Sequence, residues 1–148
     1  MKQPENMLDK LRFLLGEWNL EYQIPESSLH TAETASATGV FKKALNDKAV
    51  IFDYSGSTSS GDRFAAHGLF LWDEKTQIIR YWWFEDSGAF MTASCEFIDR
   101  DTLYMSWHNS LLTQTFTRID ASRVILHMGR PAAQGKHELL LKVIFTRK

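Results

Sequence analysis

Residues Leu14–Tyr22, LLGEWNLEY, mark the point at which the periodicity of the chain changes. Before Gly16, apolar residues recur at the spacing of one helical face, which predicts a short amphipathic helix. They are Met7, Leu8, Leu11, Leu14 and Leu15. From Glu17 onward the period becomes two, as in a half-buried strand. The alternating residues are Trp18, Leu20, Tyr22 and Ile24. Gly16 stands where the chain must turn from helix to strand, and glycine permits that turn.

Nine further strand-like runs follow, separated by short segments rich in turn-forming residues. The runs span Ala35–Lys42, Ala49–Ser55, Phe64–Trp72, Gln77–Phe84, Ala89–Ile98, Thr102–His108, Leu112–Ile119, Arg123–Met128 and His137–Arg147. Most of the separators are short enough to join neighbouring strands as hairpins. The sequence therefore predicts an antiparallel meander of about ten strands.

One face of this sheet is apolar when each short separator is treated as a two- or three-residue loop. The residues assigned to it are His67, Leu69, Leu71, Ile79, Tyr81, Trp83, Met91, Ala93, Cys95, Phe97, Leu103, Met105, Trp107, Gln114, Phe116, Val124, Leu126, Met128, Leu139, Leu141, Val143 and Phe145. A chain with one short helix has no second layer to cover such a face, so the sheet must close on itself. We therefore expect an all-β fold: a single domain over residues 1–148, forming a closed antiparallel up-and-down barrel of about ten strands with the helix capping one end.

Composition excludes several classes of protein. A net charge of −1 over 148 residues leaves no basic surface for nucleic acid. Cys95 is the only cysteine, so the chain forms no internal disulfide and no cysteine-rich metal site, and a reducing cytoplasm is the expected compartment. The N-terminal residues lack the apolar region of a signal peptide, and no apolar run is long enough for a spanning helix, so we expect no membrane insertion.

The predicted barrel needs a seal at one end, and three residues are candidates for it. Trp18 places a large flat ring where the first strand begins, directly after Gly16. Arg147 is one of the alternate residues that point inward on the last strand, and this strand lies beside the first strand if the barrel closes. Its guanidinium is then placed to stack on Trp18.

The Gly16-x-Trp18 motif together with the late Arg147 resembles the structural signature of the lipocalin and calycin superfamily. The stretches at residues 39–61 and 67–88 are similar to an uncharacterised bacterial family with a lipocalin-like barrel. Gly68, Asp73, Trp83 and Asp86 match its pattern loosely, whereas the turn after Asp73 lacks the usual Pro or Gly. The resemblance implies a barrel with a cavity, and it implies no reaction and no cargo.

Polar and aromatic residues on the apolar face are the candidates for ligand binding. They are Tyr22, His67, Tyr81, Trp83, Met91, Trp107 and Gln114. One interpretation is a largely hydrophobic pocket for a small hydrophobic or amphipathic molecule, held without catalysis. The other is a packed core in which these groups satisfy one another or bind buried water.

Metal and cofactor chemistry has little support in the sequence. Haem ligation by His67 is allowed by the superfamily resemblance but lacks the glycine-rich first strand of haem-binding members. The five histidines fall on loops or on opposite parities, so no metal cluster is expected.

The opposite face offers a rival function and a partner surface. Arg80 and Glu96 could serve a small lyase or isomerase acting on a carboxylic or phenolic substrate, or could form an exterior ion pair. Aromatic side chains on this face predict a homodimer interface if the face is external. They are Phe70, Trp72, Trp82, Phe84 and Phe90.

Overall fold

The computed structural model describes residues 7–27 and 30–148, and within them the chain forms a closed antiparallel barrel of ten strands. The strands are β1 (Gly16–Ile24), β2 (Glu33–Ala44), β3 (Ala49–Thr58), β4 (Arg63–Asp73), β5 (Ile78–Glu85), β6 (Phe90–Asp99), β7 (Thr102–Trp107), β8 (Thr113–Asp120), β9 (Arg123–Pro131) and β10 (His137–Arg147). Each strand pairs with its neighbours in sequence, and β1 pairs with β10 to close the barrel. The predicted fold class is confirmed.

The N-terminal helix (Met7–Leu14) is present as a 3-10 helix. Its buried residues, Leu8, Leu11 and Leu14, are spaced by three, which matches the three residues per turn of this helix type. They therefore lie on one face, and that face covers the end of the barrel at which β1 begins.

The predicted inward face is correct from β5 through β9. Tyr81 pairs with Ala93, Cys95 with Met105, and Phe116 with Leu126, so one parity stays inside across these hairpins. The β5–β6 hairpin gives the reason. The N–H of Glu85 donates to the carbonyl of Ala89 around a three-residue turn, which is one of the loop lengths used to predict the inward face.

The predicted face of β4 is wrong, because the β4–β5 connection has four residues. Asp73 pairs with Ile78, which leaves residues 74–77 in the turn. One extra residue shifts β4 by one position against β5 and moves every side chain of β4 to the other face. His67, Leu69 and Leu71 therefore face outward, whereas Gly68, Phe70 and Trp72 face inward.

A second, smaller correction concerns the start of β10. Leu139 pairs with Gly129 and Leu141 with Met128, so a bulge adds one residue between them. Leu139 is consequently exposed, and Leu140 is buried instead.

The middle of the barrel is filled by four phenylalanines, which we call the phenylalanine floor: Phe41, Phe52, Phe116 and Phe145. Phe41 and Phe52 are stacked at 3.9 Å between ring centroids, and Phe116 meets Phe145 edge to face at 5.8 Å. Below this layer, Trp18 meets Phe145 edge to face and is fully buried. The half of the barrel nearest the helix is therefore solid core.

Within the described ranges, no helix has the length and apolar character needed to cross a membrane.

Candidate ligand-binding cavity

A cavity of about 170 Å3 lies above the phenylalanine floor, toward the end of the barrel opposite the helix. It is lined by Tyr22, Phe52, Tyr54, Tyr81, Trp83, Met91, Trp107, Leu112, Gln114, Phe116, Leu126, Met128, Leu141, Val143 and Phe145. The lining comes from every strand except β2 and β4, and within each contributing strand it is the inward-pointing alternate residues that take part. The site is thus an aromatic and aliphatic pocket with a few hydrogen-bonding groups.

Six of the seven candidate residues lie in this lining, and His67 does not. The six are Tyr22, Tyr81, Trp83, Met91, Trp107 and Gln114. The structure places them together, and their role in binding stays a prediction. The imidazole of His67 is half exposed on the outer face and is hydrogen bonded to Asp53, its register partner on β3. A group bound in the lumen is therefore out of reach of His67, and this includes the haem iron considered above.

Tyr54 is the main functional candidate that the sequence reasoning missed. Its hydroxyl accepts a hydrogen bond of 2.8 Å from Nε1 of Trp83, although β3 and β5 are separated by β4. Gly68 on β4 pairs with both Phe52 and Trp83, and it has no side chain to fill the space between them. The alternation of Phe52 and Tyr54 on β3 is the signal that could have identified this residue.

Gly68 also makes room for Tyr81. A Cβ atom at position 68 would lie 2.6 Å from Cζ of Tyr81 and closer still to its hydroxyl. The Tyr81 ring lies against the main chain of β4 and is 3% exposed. Glycine at this position is thus what allows the phenol to lie flat beside the cavity.

The three phenols of the lining remain protonated over the physiological range. Burial raises the pKa of Tyr54 to about 12, partly offset by the hydrogen bond from Trp83. Burial also raises the pKa of Tyr22 and of Tyr81 well above the usual value. These hydroxyls are therefore neutral donors and acceptors.

The indole N–H of Trp107 is unusual because it is buried without a hydrogen-bond partner among the described residues. The residue as a whole is 7% exposed. The indole is held edge to face by the rings of Tyr81 at 5.8 Å and of Trp83 at 6.4 Å. Gln114, which is also 7% exposed, directs its side-chain amide to Sδ of Met105 at 3.5 Å.

The rival pair, Arg80 and Glu96, lies outside the barrel. Arg80 donates to Asp73 at 2.7 Å, while Glu96 is exposed and lies opposite Tyr104. His108, on the same outer face, is hydrogen bonded to Thr92 and Ser94. In the part of the chain that the structure describes, no group of three acidic, histidine or cysteine side chains is placed to hold a metal ion.

The predicted aromatic patch is smaller than expected. Phe70 is completely buried and Trp72 packs against the core, since both belong to the corrected inward face of β4. Phe84 and Phe90 are 45% and 69% exposed, and their rings stack at 6.4 Å beside the half-buried Trp82.

The fold is shared with solved barrels over nearly the whole chain. Rv2717c from M. tuberculosis matches with a TM-score of 0.67 at 12% identity, covering 99% of each chain. The S-type phycobiliprotein lyase CPES from Guillardia theta matches with a TM-score of 0.60 at 9% identity, covering 95% of this chain and 91% of that chain. A redesigned β barrel, mFAP0, bound to DFHBI, matches with a TM-score of 0.53 at 9% identity, covering 91% of this chain and 99% of that chain.

No family model and no curated protein matches the sequence. At such low identities the structural likeness shows the fold alone. The chain has a lipocalin-like barrel fold.

Proposed function

We propose that this protein is a non-catalytic binding barrel that holds a small hydrophobic or amphipathic molecule in its lumen. The observation that carries the proposal is the cavity of about 170 Å3 with its aromatic and aliphatic lining. An engineered cavity of about 150 Å3 with a similar lining binds benzene, so the volume suits a ligand of about that size. The redesigned barrel of similar fold, which is described as bound to DFHBI, supports the use of such a lumen for a small molecule.

Tryptophan fluorescence tests this proposal, because Trp83 and Trp107 line the cavity. We expect saturable quenching by at least one member of a panel of small aromatics, fatty acids and haem. Leu126→Phe fills the cavity and should abolish the quenching. The matched control is Leu69→Phe on the outer face of β4, which should leave it unchanged. Absence of saturable binding by the wild-type protein to the whole panel would refute the proposal.

The alternative function, a lyase or isomerase using Arg80 and Glu96, has less support. Arg80 is engaged by Asp73 outside the barrel, away from the cavity. Binding that survives both Arg80→Met and Glu96→Gln supports the non-catalytic barrel. Turnover of a bound phenolic or carboxylic compound that is lost in Glu96→Gln would instead support the enzyme.

The partner that we propose is a second copy of the chain, in the cytoplasm, docked through Trp82, Phe84 and Phe90. Exposed stacked aromatic rings are typical of interface surfaces, which supports this pairing. Light scattering should give the mass of a dimer for the wild-type protein and of a monomer for Phe90→Glu. A monomeric wild-type protein would refute the interface.

A further inference from the structure

The outer face of the barrel carries a serine and a histidine in hydrogen-bond contact, which we call the outer dyad: Ser94 on β6 and His108 directly after β7. We infer that Ser94 is a nucleophile that takes an acyl group from an activated aryl ester, with His108 as its general base and Thr92 as the residue that positions the imidazole. The dyad lies outside the lumen, so this inference is independent of the proposed binding function.

The distances within the dyad suit the transfer of a proton. Oγ of Ser94 lies 2.6 Å from Nε2 of His108, and Oγ1 of Thr92 lies 2.7 Å from Nδ1 of the same ring. A hydroxyl both donates and accepts, so the neutral ring can accept from Ser94 at Nε2 and donate from Nδ1 to Thr92. In this tautomer the imidazole is a base toward the serine and is itself held by a third group, which is the arrangement that activates a serine nucleophile.

The fold fixes the position of the imidazole. The amide of His108 donates to the carbonyl of Thr92 at 2.9 Å, which extends the pairing of β7 with β6 by one residue. Asn109 then has a φ of 58°, so the chain leaves the sheet directly after the histidine. Thr92 and Ser94 are two residues apart on β6 and therefore share its outer face. The ring thus lies beside both hydroxyls without needing to be ordered by a substrate.

The serine is accessible from outside the barrel. Ser94, Thr92 and His108 are each half-buried, unlike the closed core behind them. The main chain of β6 is covered by β5 and β7, so the exposed surface of Ser94 belongs mainly to its side chain. A reagent in solution therefore reaches the hydroxyl without entering the barrel.

The surroundings of the serine define the class of substrate. Because β6 is paired on both sides, its main-chain N–H groups serve the sheet and do not form an oxyanion hole. Attack on an ester therefore needs a good leaving group, such as a phenolate. Trp82, the partner of Thr92 on β5, is half-buried and offers a ring against which an aryl group can stack.

The reaction is the transfer of an acyl group to the serine. The oxygen of Ser94 bonds to the carbonyl carbon of the ester while its proton passes to Nε2 of His108. The bond from the carbonyl carbon to the aryl oxygen then breaks, and the phenolate takes the proton from His108 and leaves as a phenol. The products are an O-acyl serine and a phenol, with no change of oxidation state.

Release of p-nitrophenol from p-nitrophenyl acetate measures this step. We expect the wild-type protein to release it about tenfold or more faster than Ser94→Ala or His108→Phe, as for loss of a nucleophile or its base. The matched control is Ser106→Ala, because Ser106 is the partner of Ser94 on β7 while both ring nitrogens of His108 are bonded to other hydroxyls. Its rate should equal that of the wild-type protein. Equal rates in wild type and Ser94→Ala would overturn the inference.

A fluorophosphonate identifies the nucleophile in the wild-type protein, whatever the folding of the variants, because its ester with serine resists hydrolysis. Mass spectrometry of the digested protein should find the adduct on Ser94, and the adduct should be absent from His108→Phe treated in the same way. An adduct on another residue with Ser94 unmodified would overturn the inference.

Two variants of Thr92 separate positioning from packing. Thr92→Val keeps the shape and removes the hydroxyl, so labelling of Ser94 should slow by about twofold to tenfold, as for one net hydrogen bond. Thr92→Ser restores a hydroxyl and should recover the rate. Equal labelling in the two variants would show that Thr92 does not position the ring.

The labelling is repeated in Phe90→Glu, so that a second copy docked through Trp82 does not cover the dyad. Absence of labelling in both proteins overturns the inference and leaves the binding function of the lumen intact. Absence of ligand binding in the lumen, with Ser94 labelled, refutes the proposed function and leaves this inference intact.

Discussion

The guanidinium of Arg147 lies over the ring of Trp18, with 4.1 Å between its Cζ atom and the ring centroid. The same guanidinium donates to the carbonyl oxygens of Leu15 at 2.6 Å and Phe13 at 2.9 Å, at the end of the N-terminal helix. Nε1 of Trp18 donates to the carbonyl of Leu14 at 2.7 Å. Three carbonyls at the end of the helix are therefore satisfied by two side chains, which attach the helix to the closed end of the barrel.

Replacing Arg147 should destabilise the fold strongly. Arg147→Ala removes the cation–π contact and leaves two partly buried carbonyls without donors, so we expect a loss of about 3 kcal/mol in the free energy of unfolding. Arg147→Lys should recover only part of it, because an ammonium lacks the planar fork of the guanidinium. Urea denaturation measures both. Arg100→Ala, at an exposed turn, is the control, and an equal loss in the two alanine variants would contradict the role of Arg147.

A methyl group at position 68 should disturb the cavity. Gly68→Ala places its Cβ atom against the ring of Tyr81, so we expect a destabilisation of about 1–3 kcal/mol. A double-mutant cycle with Tyr81→Ala checks the cause: the cost of Gly68→Ala should shrink when the ring is absent. If the cost is the same in both backgrounds, the contact with Tyr81 is not its origin.

The pH dependence of Asp73 should follow from Arg80. Hydrogen bonds from the side chains of Arg80 and then Thr76 lower the pKa of Asp73 to about 2. Because the folded pKa lies below the unfolded value of about 3.9, this carboxylate stabilises the fold above that value, and the contribution is lost as the pH falls toward 2. Arg80→Met should raise the pKa of Asp73, as measured by NMR titration.

Asp120 provides an internal control for that titration. Hydrogen bonds from Ser122 lower its pKa, and Arg80 has no part in this. The pKa of Asp120 should therefore be the same in the wild-type protein and in Arg80→Met. An unchanged pKa for Asp73 in the variant would show that Arg80 is not the main cause.

The thiol of Cys95 should be unreactive in the folded protein. Cys95 is 2% exposed, and burial raises the pKa of its thiol above the usual value, so little thiolate is present at neutral pH. Ellman's reagent should label Cys95 only at the rate of unfolding. In a Cys95→Ser background, Ser57→Cys supplies an exposed thiol on β3 that should react at once. Rapid labelling of the wild-type protein under native conditions would place the thiol outside the core.

The residues that line the cavity could be predicted on strands that are joined by short hairpins. Tyr81, Trp83, Met91, Trp107 and Gln114 were assigned correctly to the inward face, because three-residue or similarly short turns transmit parity from strand to strand. Their side-chain contacts could not be predicted in the same way. The bond from Trp83 to Tyr54 passes over an intervening strand, and parity says nothing about residues two strands apart.

The sequence by itself determined the number of strands, the closure of the barrel and the positions of Gly16, Trp18 and Arg147. These follow from the periodicity of the apolar residues, the composition of the turns and the need to cover one apolar face. All three can be identified from the sequence without knowing how the strands are paired. Only the tertiary structure decided which face of β4 points inward, because a single residue in the turn at 74–77 reverses it without changing the alternating pattern. That reversal placed His67 outside and Phe70 inside, and opened the space at Gly68 in which the aromatic wall of the cavity assembles.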